Sequence, residues 1–321
     1  MAVSIDVHEV VLTISPDEQN LGGKLLFGHE VPFVGSDISE VEYWQIGEIL
    51  RQQQNFSLSG YKDLCIKRRI ATRIRTLGMS NPAAYVTHLA AEVSEQEQLL
   101  KALSVHVSHF FRNPSTYKVL EKKILPELLE QSLRQRNKLR IWSVGCSDGE
   151  EPYSIALLGQ KLSIEAGLLK IIGTDLSSEA LSRAKRGSYE QSRLHEVPES
   201  LLQKYFEHID NRYSLTASIR NSVQFFRHDI LSDQPFYRAD LILCRNVLIY
   251  FSREQQQRVL QILTAALSAG GYLVLGRAEN LVASCRELFQ CIDPAERIYQ
   301  RLEEGEQLLP TVVVGKSQDF S

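Results

Sequence analysis

The stretch that decides the fold is Trp142-Ser143-Val144-Gly145-Cys146-Ser147-Asp148-Gly149-Glu150-Glu151-Pro152-Tyr153-Ser154. The apolar run from Leu139 to Val144 reads as a buried strand, and Glu150 opens a helix. Between them Gly145 and Gly149 let the backbone turn sharply and approach a ligand without a Cβ in the way. Pro152 stands where the first helical turn accepts proline. The free N–H groups of that turn suit a ligand carboxylate, and Glu150 and Glu151 suit an ammonium or sulfonium. A plain glycine turn with an acidic N-terminal cap fits the same residues. A nicotinamide enzyme needs GxGxxG to hold a pyrophosphate. Here the spacing is GxxxG, and two carboxylates stand where a pyrophosphate would be repelled. The loop points to a cofactor without phosphate.

Outward from the loop, apolar runs at 168–173, 239–244 and 271–275 alternate with amphipathic stretches at 151–163, 177–187 and 253–268. This alternation predicts a parallel α/β sheet with right-handed crossovers and helices on both faces. Gly173-Thr174-Asp175 ends the second run, where an acidic residue accepts hydrogen bonds from ribose hydroxyls; a helix N-cap at Asp175 or Ser177 is the plainer alternative. Cys244-Arg245-Asn246-Val247-Leu248-Ile249-Tyr250-Phe251 puts Arg245 and Asn246 at the carboxyl edge of the sheet, where open α/β folds bind ligands. An exposed turn followed by core residues is the other reading. Residues 189–224 fit the alternation poorly and read as an insertion, with a short helix around Leu201, Leu202 and Tyr205 and short strands between Tyr213 and Val223.

Upstream, the chain reads as helical. Ile66, Ile70, Ile74 and Leu77 recur at helical spacing, and Gly78 is a stop signal. Asn81-Pro82 starts another helix, and Tyr85, Leu89 and Leu99 continue apolar faces. A further helix runs from Asn113-Pro114 towards Arg136 with a kink at Pro126. Val105-His106-Val107-Ser108-His109-Phe110-Phe111-Arg112-Asn113 resembles a binding rim, although Phe110 and Phe111 fit a structural role. His106 and His109 are discounted as a metal pair, because no cysteine or carboxylate ligand clusters near them in sequence. Lys62, Lys67, Arg68, Arg69, Arg73 and Arg75 make a basic helix, with Lys62, Arg69 and Arg73 on one face opposite the isoleucines. Such a face is either simply solvated or a dock for an acidic partner. In residues 1–38, Val3, Ile5 and Val7 alternate like a short strand before glycines break the pattern, and 303–321 read as a flexible tail.

Composition narrows the function classes. The 321 residues suffice for one large or two smaller domains, and 43% are apolar, enough for a sizeable core. A net charge of −3 argues against wholesale nucleic-acid binding. The five cysteines form no CxxC pair, which indicates reduced thiols rather than a disulfide framework or zinc site. No stretch approaches the ~20 apolar residues of a membrane span, and no basic-then-apolar leader opens the chain. A soluble cytoplasmic protein is the expectation.

Together these motifs resemble the chemotaxis receptor glutamate methyltransferase family, CheR, over roughly residues 40–302. The family's Ser/Thr-x-Phe-Phe-Arg segment appears as Ser108-His109-Phe110-Phe111-Arg112. Its Gly-Cys-Ser-x-Gly-Glu-Glu-Pro-Tyr-Ser loop runs in full from Gly145 to Ser154, and its Cys-Arg-Asn-Val-x-Ile-Tyr-Phe segment from Cys244 to Phe251. Gly270-Gly271-Tyr272-Leu273 and Ala278-Glu279-Asn280 echo two further family segments. The resemblance implies a helical N-terminal domain (39–112). It implies a Rossmann-like α/β methyltransferase domain (113–302) with a small inserted antiparallel subdomain (about 189–224). It implies S-adenosyl-L-methionine as cofactor, S-adenosyl-L-homocysteine as product, and the cytoplasmic domain of methyl-accepting chemotaxis receptors as partner. The expected enzyme is monomeric, with no nucleic acid and no membrane insertion.

By the same resemblance, cofactor contacts fall to His106, Ser108, Arg112, Gly145, Glu150, Glu151, Asp175, Asp229, Ile230, Arg245 and Asn246. The basic helix matches the receptor-facing helix, which assigns substrate binding to Lys62, Arg69 and Arg73. His106 and Asp229 each stand where the family commonly has Asn, and the insertion is short for gripping a receptor's C-terminal tether. A glutamate carboxylate, with a reference pKa of about 4.3, is already ionised at neutral pH. It can attack the sulfonium methyl directly without a general base. Arg112 and Tyr250 are the candidates for orienting it. Two rivals are a methyltransferase for nucleic acid or small molecules and a non-catalytic module. The first lacks the Asp/Asn-Pro-Pro-aromatic segment of amino-methylating DNA enzymes, since Arg245-Asn246-Val247-Leu248 stands there. The intact loop argues against the second.

Overall fold

The computed structural model describes residues 37–54, 56, 58, 61–103, 108–165, 167–235 and 238–303. The strand expected near Val3, the tail from 304 onward and His106 lie outside them.

Among the described residues four helices come first: α1 (Glu40–Gln54), α2 (Asp63–Thr76), α3 (Pro82–Ala91) and α4 (Val93–Leu103). A reciprocal capping box starts α1. Ser39 N–H donates to Glu42 Oε2 at 2.9 Å, and Glu42 N–H donates to Ser39 Oγ at 3.3 Å. Asn81 caps α3 through Oδ1, which accepts from Ala83 N–H at 2.9 Å, with Pro82 as the first helical residue. The four helices bury Ile46, Leu50, Ile70, Ile74, Tyr85, Leu89 and Leu99. Gly78, at φ +70°, follows the end of α2.

The helix at Asn113-Pro114 is built differently from the expected kinked one. It runs as α5 (Pro114–Val119), one π turn (Leu120–Ile124) and α6 (Leu125–Arg134). Pro126 has no N–H to give and would clash with the carbonyl four residues back. The widened π turn just before it absorbs both problems.

The second part is a seven-stranded sheet. β1 (Leu139–Val144) leads through α7 (Glu150–Lys161) to β2 (Leu169–Asp175), and α8 (Ser178–Arg186) follows. Next come β3 (Ser188–Tyr189), α9 (Glu199–Tyr205), β4 (Phe206–Ile209), β5 (Arg212–Leu215), α10 (Ala217–Arg220) and β6 (Val223–Arg227). β7 (Ala239–Cys244), α11 (Arg253–Ala266), β8 (Leu267–Leu275), α12 (Ala283–Arg286), β9 (Phe289–Asp293) and β10 (Ile298–Arg301) complete the domain. The sheet order is β6-β2-β1-β7-β8-β10-β9. The first five strands are parallel, and β10 is antiparallel to both its neighbours.

Side chains alternate between two cores, as a strand buried on both faces requires. Leu139 and Ile141 enter one core, and Trp142 and Val144 the other. The chain leaves β1 to one side for β2 and returns on the other side with β7. The strand order therefore reverses between β1 and β7, and a crevice opens at their carboxyl ends.

The insertion is a three-stranded antiparallel sheet, β3-β5-β4. Asp210 and Asn211 turn β4 into β5 at φ +47° and +61°, the left-handed pair of a two-residue hairpin. Its expected far boundary needs correction, because Val223 begins an edge strand of the main sheet and pairs with Ile171 of β2.

Candidate active site

β1 ends in the glycine loop. Gly145 has φ +65°, and a Cβ there would lie 2.6 Å from Val247 Cγ2. The loop therefore lies directly against the segment that follows β7. Glu279 holds that segment from beneath. Its buried carboxylate accepts from the backbone N–H groups of Asn246 (2.9 Å), Gly276 (2.6 Å) and Ile249 (3.3 Å). These bonds fix Asn246 in its left-handed conformation, φ +60°. On the neighbouring strand Trp142 Nε1 donates to Thr174 Oγ1 at 2.9 Å, and the indole meets His228 edge to face.

A cleft opens above these strand ends. Its walls are largely apolar, with Phe56, Tyr61, Ile66 and Leu103 on the helical side and Val144, Ile230, Val247 and Phe251 on the sheet side. Asp175, Asp229 and Asn246 supply polar groups. Burial, and then the carboxylates of Asp229 and Asp175, push the Tyr61 phenol up to about 12. Two backbone links join helical and sheet residues here. Lys62 N–H donates to Tyr250 O at 2.9 Å, and Tyr61 bridges to Phe251.

A narrower arm continues from Gly145, Ser147, Asn246 and Tyr250, which border both spaces, to Ser108, His109, Arg112, Tyr117, Glu151 and Arg245. Glu151 accepts from Ser143 Oγ at 2.8 Å and pairs with Arg245 Nη1 at 3.4 Å. Burial raises its carboxyl despite the opposing charge of Arg245. Arg245 Nη2 donates to Arg112 O (2.7 Å) and Asn113 Oδ1 (2.8 Å), and its guanidinium lies over the Tyr117 ring. Tyr117 Oη and Arg245 Nε are buried with no hydrogen-bond partner.

The expected site residues divide by this geometry. Ser108, Arg112, Gly145, Glu151, Asp175, Asp229, Ile230, Arg245, Asn246, Tyr250 and Arg69 all border the two connected spaces. Asp175 lies at the expected place, with Oδ2 accepting from Ser147 N–H and Oδ1 from Ser177 N–H, both at 2.9 Å. Glu150 is not among the lining residues. It is fully buried beneath the loop, 3.3 Å from Arg193. Lys62 is exposed at the start of α2. Arg73 is turned to the helical core, where Nε and Nη2 bind Glu95 at 2.9 and 2.6 Å. Phe56, Tyr61, Tyr117 and Glu279 were not singled out for the site. They are scattered along the chain at 56, 61, 117 and 279, and only long-range packing brings them here. Among the described residues no three metal-ligating side chains cluster.

These donors suit a zwitterionic nucleoside. An apolar slot with acceptors at its edge fits a base and ribose. The narrow arm offers a carboxylate, a guanidinium and a phenol to an amino-acid end. A reversed parallel sheet with this glycine loop and this bipartite cleft defines a Rossmann-like methyltransferase. Residues 106–298 match the CheR methyltransferase SAM-binding domain, and residues 42–104 match the CheR methyltransferase all-alpha domain. The chain belongs to the CheR methyltransferase family, and S-adenosylmethionine is its cofactor.

It is 34% identical over 243 residues to a chemotaxis protein methyltransferase of Listeria monocytogenes, covering 76% of this chain and 91% of that one. A chemotaxis protein methyltransferase of Salmonella typhimurium is 30% identical, covering 78% and 87%. A 104.1 kDa protein of Rhodobacter capsulatus is 33% identical, and this chain spans 28% of its length. Among the described residues no helix is long and apolar enough to cross a membrane.

Proposed function

We propose that the protein methylates glutamate side chains on the cytoplasmic domain of chemotaxis receptors, forming methyl esters. The observation that carries this reading is the acceptor end of the cleft. Tyr250 and Asn246 border both spaces, Arg112 borders the narrow one, and the Arg69 guanidinium lies 4.7 Å from the Tyr250 ring centre. This is a cationic and hydrogen-bonding setting for an anionic acceptor. When bound, the cofactor supplies an electrophilic methyl group. A carboxylate acceptor needs no proton removed, so the chain's task is to orient it and exclude water. Positioning of this kind contributes about 7–11 kcal/mol. Arg112 and Tyr250 orient the carboxylate, and the apolar walls keep the reacting pair dry, which favours a step in which opposite charges cancel.

In this reading residues 39–112 dock the receptor and end in Ser108 and Arg112 at the cleft, and 113–302 carry the rest of the chemistry, in a cytoplasmic monomer. Lys62, with exposed Arg68 and Arg75 on the same helix, offers a cationic surface to an acidic receptor helix. The test is transfer of radiolabelled methyl to receptor cytoplasmic fragments. Label that is lost in mild alkali as methanol, and absent from fragments whose acceptor glutamates are alanine, supports the proposal. Alkali-stable label, or cofactor binding without transfer to any fragment, overturns it in favour of another substrate or a non-catalytic module.

A further inference from the structure

The segment 108–112 carries Ser108 and Arg112 along the narrow arm, and its backbone is strained. Phe111 has φ +54°, and the next residue but one, Asn113, has φ +63°. Non-glycine residues in this region are strained and persist only where their surroundings over-determine them. Three attachments do so here. Ser154 Oγ accepts from Phe111 N–H at 2.9 Å. Arg245 binds Arg112 O. The third is Arg193, on the turn between β3 and α9 in the insertion.

Arg193 grips the segment by both its ends. Its carbonyl accepts from Phe110 N–H at 3.0 Å, and its Nη1 donates to Ser108 O. The same Nη1 lies 3.3 Å from Glu150 Oε1. Glu150 is the first residue of α7, is fully buried, and leaves Oε2 without a partner. The rings of His109, in the segment, and His195, in the insertion, meet at a tilt of 36° with centroids 4.6 Å apart. Glu150 therefore joins three pieces of chain through one guanidinium: the glycine loop, the strained segment and the insertion.

We infer that Arg193 is a positioning residue for methyl transfer, clamping the 108–112 segment, and with it Ser108 and Arg112, onto the glycine loop. The inference rests on the cofactor site and not on the identity of the methyl acceptor, so it stands or falls separately from the receptor reading. Glu150 without Arg193 is a buried carboxylate that has lost its guanidinium partner, which is the costly way to break such a pair. The charged groups around it are Asp148 and Arg193, with the Cys146 thiol and Tyr189 phenol also close.

The experiment is calorimetric titration of the full chain with S-adenosylhomocysteine, alongside hydrogen exchange of the free protein. Arg193→Ala should weaken binding at least about tenfold and speed exchange of the 108–112 amides, while exchange in β1 and β7 is unchanged. Its defect should be larger at about pH 8.5 than at about pH 6.5, where a proton can neutralise the stranded carboxylate. Arg193→Lys should recover part of the affinity, because it restores the charge but not the planar guanidinium whose Nη1 meets both Ser108 O and Glu150. The Arg193→Ala and Glu150→Gln defects should not add, so that the double variant binds no worse than the weaker single one. Multiplying defects, or wild-type affinity and exchange in Arg193→Ala, overturn the assignment. Should Arg193→Ala not fold, Arg193→Lys against Glu150→Gln gives the same cycle.

Discussion

The carboxylate of Asp175 accepts from the backbone N–H of Ser147 at 2.9 Å, so the acidic end of β2 and the glycine loop after β1 are one hydrogen-bonded unit. Its other oxygen accepts from Ser177 N–H, at the start of α8. Each oxygen keeps a free lone pair for a ribose hydroxyl on the cleft side. Asp175→Ala removes the acceptor and also releases the loop. Hydrogen bonds to charged groups contribute about 1.5–3 kcal/mol, so S-adenosylmethionine should bind at least tenfold more weakly in calorimetry. Unchanged affinity would take Asp175 out of the site.

The basic face of α2 should behave as two populations. Arg73 binds Glu95, which is 4% exposed and also accepts from Tyr85 Oη at 2.9 Å. Arg73→Ala leaves that carboxylate buried beside a phenol. Removal of one partner from a buried pair costs about 3–5 kcal/mol, discounted here because the arginine keeps some solvent contact. Urea unfolding should show a loss of a few kcal/mol. Lys62→Ala, at an exposed position, should unfold like the wild type yet slow methyl transfer to receptor fragments. Equal unfolding midpoints for the two variants would refute the division.

What could be read in the sequence follows from the range of the interactions. The glycine loop, Asp175 and Asn246 were legible because each follows an apolar strand directly, and strand ends on one edge of a parallel sheet must gather. Glu150 and Glu151 looked equivalent in sequence. Only the helical rotation of about 100° per residue separates them, sending one carboxylate to the cleft and the other beneath the loop. Arg73 reads as part of a basic stripe because its partner Glu95 lies two helices away. β6 went unrecognised as part of the main sheet because an edge strand of five residues, with Gln224, Phe226 and Arg227 outward, carries little signal.

Gly145 should tolerate no side chain. Its φ of +65° and the 2.6 Å approach to Val247 Cγ2 penalise Gly145→Ala twice, once through the backbone and once through contact. The backbone part alone is roughly 1–2 kcal/mol. Adding Val247→Ala removes the contact and not the strain, so cofactor affinity should recover only partly. Full recovery would show that conformational freedom at Gly145 is irrelevant, and no recovery that the Val247 contact is.

Glu150 should leave a mark on stability against pH. Burial pushes its carboxyl up to about 7 from an ordinary 4.5, with Asp148 adding to the rise and Arg193 opposing it. Below the ordinary value both the folded and unfolded chains hold the proton, and the group contributes nothing that varies. Between the two values the unfolded chain has released its proton and the folded chain has not, so unfolding releases protons and stability falls as pH rises. Above about 7 the folded protein holds a buried charge and the loss is complete, on the order of 3 kcal/mol for a shift of this size. Other carboxylates have their own pH dependence, so the informative quantity is the difference between wild type and Glu150→Gln. In urea titrations from about pH 4.5 to 8, that difference should move steadily in the variant's favour and level off near neutrality. A difference that stays constant across the range would show that Glu150 titrates like an exposed carboxylate, and that Arg193 compensates its burial in full.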